Sequence, residues 1–187
     1  MNILKDIAEE LDKKVENELK NADNTIMSPS EKKISNNKLK IFLGGTIDSG
    51  KSEDWQKKIC KKYADDKQII IFNPRRAEWP SDSDHNEVIR QIKWEHKRMD
   101  ESDYIVMNIL PDSKSPISLM EIGMYCHSNK LLVFCTDKFY RYDNVKVVCE
   151  KYKIKLFETN DNKEIIYKMK DSDLFDDITI FMSQLFH

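Results

Sequence analysis

At 187 residues the chain is sized for one compact domain plus an appendage, and it is long enough to bury a sizeable core. Its 40% hydrophobic and 34% charged residues exclude a collagen-like, low-complexity or wholly disordered chain. A net charge of −2 argues against a dedicated nucleic-acid binder, which would carry a basic face.

From the N-terminus, Met1 to Asp6 offers no signal-peptide core, and no apolar run approaches the roughly 20 residues of a membrane helix. Leu4, Ile7, Leu11, Val15 and Leu19 recur at helical spacing and predict an amphipathic helix over 1–22. The polar stretch 21–40, punctuated by Ser28-Pro29-Ser30, reads as a linker. The expected division is an N-terminal helix and linker over 1–38 and an α/β domain over 39–187. Within that domain five strands are expected at 40–44, 68–73, 103–110, 130–135 and 155–158. Helical patterns cover 53–63, 86–100, 118–128 and 144–152, with a last one through Leu174, Ile178, Phe181 and Leu185. Such alternation builds a parallel sheet with helices on both faces. Ligands of these sheets bind beyond the carboxyl ends of the strands, where strand order reverses. The loops 44–52, 73–84, 110–118 and 136–144 are therefore the places to look.

Cys60, Cys126, Cys135 and Cys149 show neither CxxC pairing nor a His at ligand spacing, so no metal site or disulfide framework is expected. Reduced, buried thiols in a cytoplasmic protein are the simpler reading, and adjacent Cys126 and His127 point apart on a helix. The run Gly45-Thr46-Ile47-Asp48-Ser49-Gly50-Lys51-Ser52 matches a phosphate-binding loop after a strand and before a helix. That reading makes the chain a nucleotide kinase or NTPase. It lacks the acid that should end a neighbouring strand: the candidate strands run into Asn73-Pro74 and Pro111, and Asp137 lies two residues beyond Cys135.

Two carboxylates carry a better case. In the 86–100 helix Val88, Ile92 and Met99 set the expected buried arc, and Glu95 falls on it. A carboxylate at a core position is costly unless something satisfies or uses it; the plain alternative is a boundary Glu paired with Arg98. Glu121 is the one carboxylate in the apolar stretch 115–126. Its plain alternative is a capping box, Ser118-x-x-Glu121, with the Glu bonding back to the helix cap.

Phe42-Leu43-Gly44-Gly45-Thr46, Asn73-Pro74-Arg75-Arg76, Gln91-x-x-Trp94-Glu95, Asp103-Tyr104-Ile105, Pro116-x-Ser118-Leu119-Met120-Glu121-Ile122-Gly123 and Arg141-x-x-Asn144-Val145 follow one another in order. Together they resemble the nucleoside 2-deoxyribosyltransferase-like family over roughly residues 39–150. The resemblance implies a flavodoxin-like, doubly wound α/β fold with Glu121 as nucleophile and Glu95 as the base-side acid, where other members use Asp. It places Gly44, Gly45, Thr46 and Asn73 along the sugar and base pocket, with Asp48 and Trp55 as further contacts and core packing as the alternative for Trp55 and Trp94. Asn144 matches a residue that reaches a neighbouring subunit's site, which implies a homo-oligomer. Ser115 stands where other members carry a second Asp near the sugar hydroxyls, and Arg75 and Arg76 sit where guanidinium groups would meet a 5′-phosphate. The expected activity is N-glycosidic cleavage of a nucleoside or nucleotide through a glycosyl ester on Glu121, with 2-deoxyribose passed to an acceptor nucleobase and no cofactor or metal. The alternatives are hydrolysis of a nucleoside or its monophosphate, the kinase or NTPase above, and a non-catalytic nucleotide sensor.

Overall fold

The computed structural model describes Lys14 and residues 24–34, 37–76 and 84–171. The N-terminal amphipathic helix and the pattern from Leu174 to Leu185 lie outside the described residues. Short β-branched and aromatic runs form the strands: β1 (Thr25–Met27), β2 (Leu39–Gly45), β3 (Ile69–Asn73), β4 (Tyr104–Ile109), β5 (Leu131–Cys135) and β6 (Lys155–Phe157). Between and after them run α1 (Trp55–Lys62), α2 (His85–Glu101), α3 (Pro116–Tyr125), α4 (Tyr142–Tyr152) and α5 (Asn162–Asp171). Among the described residues no helix is long and apolar enough to cross a membrane.

All six strands pair in parallel, in the order β1-β3-β2-β4-β5-β6. The five predicted strands are present and in the doubly wound order; the sixth, β1, is new. It lies in the stretch expected to be a linker, where Thr25, Ile26 and Met27 pair with Ile71, Phe72 and Asn73. Three residues are too few to show periodicity, and what holds them is tertiary. The Asn24 side chain donates to the carbonyls of Tyr63 and Asp66, and the Ser28 amide donates to the Asn73 carbonyl at 2.9 Å. Helix α5 is likewise additional to the expected elements; Ile165 and Met169 bury against the face that carries α1.

Alternate residues of each central strand serve opposite layers. Ile41, Leu43, Ile69, Ile71, Val106, Leu132 and Phe134 pack with Trp55, Ile59 and Cys60 of α1 and with α5. Phe42, Ile70, Phe72, Ile105, Met107, Ile109 and Val133 pack with Trp94 and Met99 of α2, Ile122 of α3, and Val145 and Cys149 of α4. Two covered faces explain why β3 and β5 are apolar without alternation. The arc predicted for α2 is rotated: Ile92 is exposed, and the helix buries Gln91, Trp94, Arg98 and Met99. Periodicity missed this because two of the four inward residues are polar and reach partners. Arg98 donates to Glu101 at 2.7 Å and to the Ser30 carbonyl at 3.1 Å, and it lies over the Phe72 and Trp94 rings.

Candidate active site

The chain leaves β2 toward β3 on one side, then crosses back to β4 on the other, so strand order reverses between β2 and β4. Gly45 ends β2 at that crevice, and Thr46 follows it. Gly45 has φ +124°, and a Cβ there would stand 2.2 Å from the Asn108 carbonyl oxygen of β4. This glycine is required by the neighbouring strand. The Thr46 amide donates to the same carbonyl at 2.9 Å, and its hydroxyl accepts from the Leu110 amide at 3.0 Å. The Thr46 hydroxyl also meets Ser115 at 2.6 Å and Ser113 at 3.0 Å, and those two serines are 2.7 Å apart. Three hydroxyls thus line the crevice just before α3. Ser115 holds a left-handed backbone at φ 42°, as do Asp48 and Ser49 at 48° and 51°, so strained backbone gathers around this rim.

The glycine-rich loop is clamped from beneath. Buried Arg75 donates to the carbonyls of Gly50 at 2.9 Å, Ser52 at 2.8 Å and Glu53 at 3.1 Å, with Asp54 at 3.5 Å. Helix α1 begins only at Trp55, and Asp54 caps it by accepting from the Lys57 amide at 2.9 Å. In a phosphate loop the Lys-Ser pair opens the helix and its free amides hold the anion. Here Lys51 and Ser52 precede the helix, a carboxylate fills the anion seat, and the Ser52 hydroxyl donates to the Ile47 carbonyl at 2.9 Å. The loop has the letters of a phosphate loop without its geometry.

Helix α3 starts at Pro116 with Ser115 in the cap position, so Ser118 is the third helical residue and Glu121 lies a turn further in. That removes the capping-box alternative. Glu121 is 6% exposed, and among the described residues no donor reaches its carboxyl. Burial, reinforced by the charge of Glu95, pushes it up to about 8. Burial also raises Glu95, opposed by a hydrogen bond from Gln91 and by the Arg76 charge. The structure therefore brings the two predicted carboxylates within electrostatic reach. It ties only Glu95 down, through Gln91 Nε2 at 2.7 Å. Gly123, two residues on, faces away from Glu121 on the exposed side of α3, where a Cβ would meet nothing within 4 Å.

The remaining predicted residues divide. Thr46 and Ser115 share the hydroxyl cluster, and Gly44 is pressed on Met107, 2.7 Å from where its Cβ would lie. Asp48 is exposed on the loop rim. The Asn73 side chain is turned inward, accepting from the Arg75 amide at 3.0 Å and meeting the Cys60 sulfur at 3.7 Å. Arg76 donates to Gln91 at 2.9 Å and pairs with Glu87 at 3.1 Å. Asn144 lies exposed in the first turn of α4. Both tryptophans are core: Trp55 donates to the Thr46 carbonyl at 3.2 Å and Trp94 to the Ser30 carbonyl at 2.8 Å. Sequence reasoning missed Ser113 and the bonding role of Gln91. Nothing local marks Ser113, whereas Gln91 stands four residues before Glu95, a spacing that pairs side chains on a helix.

The fold and these groups define a class: a flavodoxin-like α/β protein with hydroxyls at its switch-point crevice and a buried carboxyl, Glu121, within electrostatic reach of the half-buried Glu95. Residues 38–139 match the family described as nucleoside 2-deoxyribosyltransferase like. The match takes in more than half of the chain, and the chain belongs to that family. No curated protein matches it.

Proposed function

We propose that the protein cleaves the N-glycosidic bond of a 2-deoxynucleoside and passes the sugar to another nucleobase, with Glu121 as nucleophile and Glu95 on the base side. The observation that carries this reading is the pair of neighbouring carboxyls, Glu95 half-buried and Glu121 buried without a hydrogen-bond donor among the described residues. Two like charges held this close cannot both ionise cheaply, so near neutral pH the pair holds one proton. Glu121, the more isolated group, keeps it in the free protein. That single proton closes the reaction's balance. As the glycosidic bond breaks, the proton passes through Glu95 to a ring nitrogen of the leaving base, and the Glu121 oxygen bonds the anomeric carbon. The products are a neutral base, a glycosyl ester on Glu121 and an ionised Glu95. Attack by a second base, which returns a proton to the pair, completes transfer; attack by water completes hydrolysis.

The apolar residues around Glu121 favour stacking a planar base over ordering a water, so transfer is expected to outrun hydrolysis. The exposed stripe Ile117, Met120 and Met124 on α3 supports a homo-oligomer in which a second copy covers the rim of the site. The test is a panel of deoxynucleosides and deoxynucleoside monophosphates, with and without a labelled second base. Label entering new nucleoside, lost in Glu121→Ala, is the expected result. Base release indifferent to acceptor would make the protein a hydrolase. Magnesium-dependent ATP hydrolysis lost in Lys51→Ala would revive the kinase alternative, and binding without turnover would make it a sensor.

A further inference from the structure

We propose that Gln91 is the positioning residue of this site: its side-chain amide fixes where the Glu95 carboxyl points and couples it to Arg76 and Ser28. Gln91 is 5% exposed, and all four of its hydrogen-bonding positions are filled. Nε2 donates to Glu95 Oε1 at 2.7 Å and to the Pro74 carbonyl at 2.9 Å. Oε1 accepts from Arg76 Nε at 2.9 Å and from the Ser28 hydroxyl. An inverted amide would set its oxygen against two oxygens and its nitrogen against a guanidinium, so the donor end is committed to Glu95.

Three separate pieces of chain meet on this one amide: the residue after β1, the loop after β3, and α2 itself. A side chain without rotational choice is what a proton-transfer group needs, because misplacement by about 1 Å costs on the order of 100-fold in rate. Among the described residues the charged groups facing Glu95 are Arg76 from the loop after β3 and Glu121 from α3, with Glu87 of α2 engaged by Arg76. The Gln91 donor favours the ionised form of Glu95 and so leaves the shared proton to Glu121. Without it, Glu95 takes up a second proton at higher pH, and the singly protonated pair survives over a narrower range.

This inference rests on Glu95 and Glu121 being the reacting pair, and the experiment separates the two. The full chain and its variants Gln91→Met, Gln91→Glu and Glu95→Gln are assayed against pH on two substrates. One is the deoxynucleoside turned over fastest; the other is 4-nitrophenyl 2-deoxyriboside, whose leaving group needs no proton. In both Gln91 variants, kcat/KM on the nucleoside should fall by about 10- to 100-fold. The acid limb should move up by about one pH unit. Turnover of the nitrophenyl sugar should stay within about threefold in both Gln91 variants. If Gln91→Met fails to fold, Gln91→Glu, which keeps an acceptor for Arg76 and Ser28, carries the test. Equal losses on both substrates, or none on either, would reduce Gln91 to a packing residue and overturn the assignment. Nucleoside turnover untouched by Glu95→Gln would remove the pair itself, and the Gln91 role with it.

Discussion

Replacing Glu121 by Gln should make the protein more stable while abolishing its activity. A glutamate with an ordinary value of 4.5 is ionised in the unfolded chain above that pH, whereas in the fold burial and the Glu95 charge push it up to about 8. The folded state therefore holds more protons than the unfolded one between these limits, and stability falls as pH rises through the window. At about 1.4 kcal/mol per pH unit the ceiling on that loss is about 5 kcal/mol. Relaxation of the surroundings around an ionised carboxylate reduces it to roughly 3 kcal/mol. The amide introduced by Glu121→Gln keeps the shape and carries no charge to desolvate, so the variant escapes the loss. Thermal unfolding of both proteins from pH 5 to pH 8 is the assay. Their melting temperatures should agree at pH 5 and separate by roughly 6–12 °C at pH 8, with the variant higher. Equal melting temperatures at pH 8, or a variant destabilised alike at both ends, would refute a buried glutamate held protonated by its surroundings.

Gly45→Ala should cost about 3 kcal/mol or more in urea unfolding, because a Cβ at φ +124° would stand 2.2 Å from the Asn108 carbonyl; a loss under about 1 kcal/mol would show that the two strands can part. Met120→Asp, on the exposed stripe of α3, should convert an oligomer to monomers by light scattering and lower turnover with it; a wild-type monomer at micromolar concentration would rule out sites completed by a second copy.

Strand-helix alternation, the apolar runs of β3 and β5 and the order of the short motifs were enough to fix the fold class and the family, because they depend on local periodicity and residue type. Glu121 was legible for the same reason, as a charge in a stretch the pattern reserves for apolar residues, whereas Glu95 was singled out on an arc that the fold rotates, and it lies half-buried. Only the tertiary structure decided what surrounds them. Strand β1 exists because Asn24 and Ser28 find partners from α1 to β3, and no period in three residues announces it. The rotation of α2 follows from Gln91 and Arg98 burying polar groups that are fully useful only against particular distant carbonyls. The glycine-rich loop spells a phosphate site, yet the start of α1 at Trp55, the Asp54 cap and the Arg75 clamp set its geometry. Residue type and spacing state which groups a chain can bring to a crevice. Which hydrogen bonds those groups have already spent on one another is a property of the folded whole, because the partners come from segments far apart in the chain.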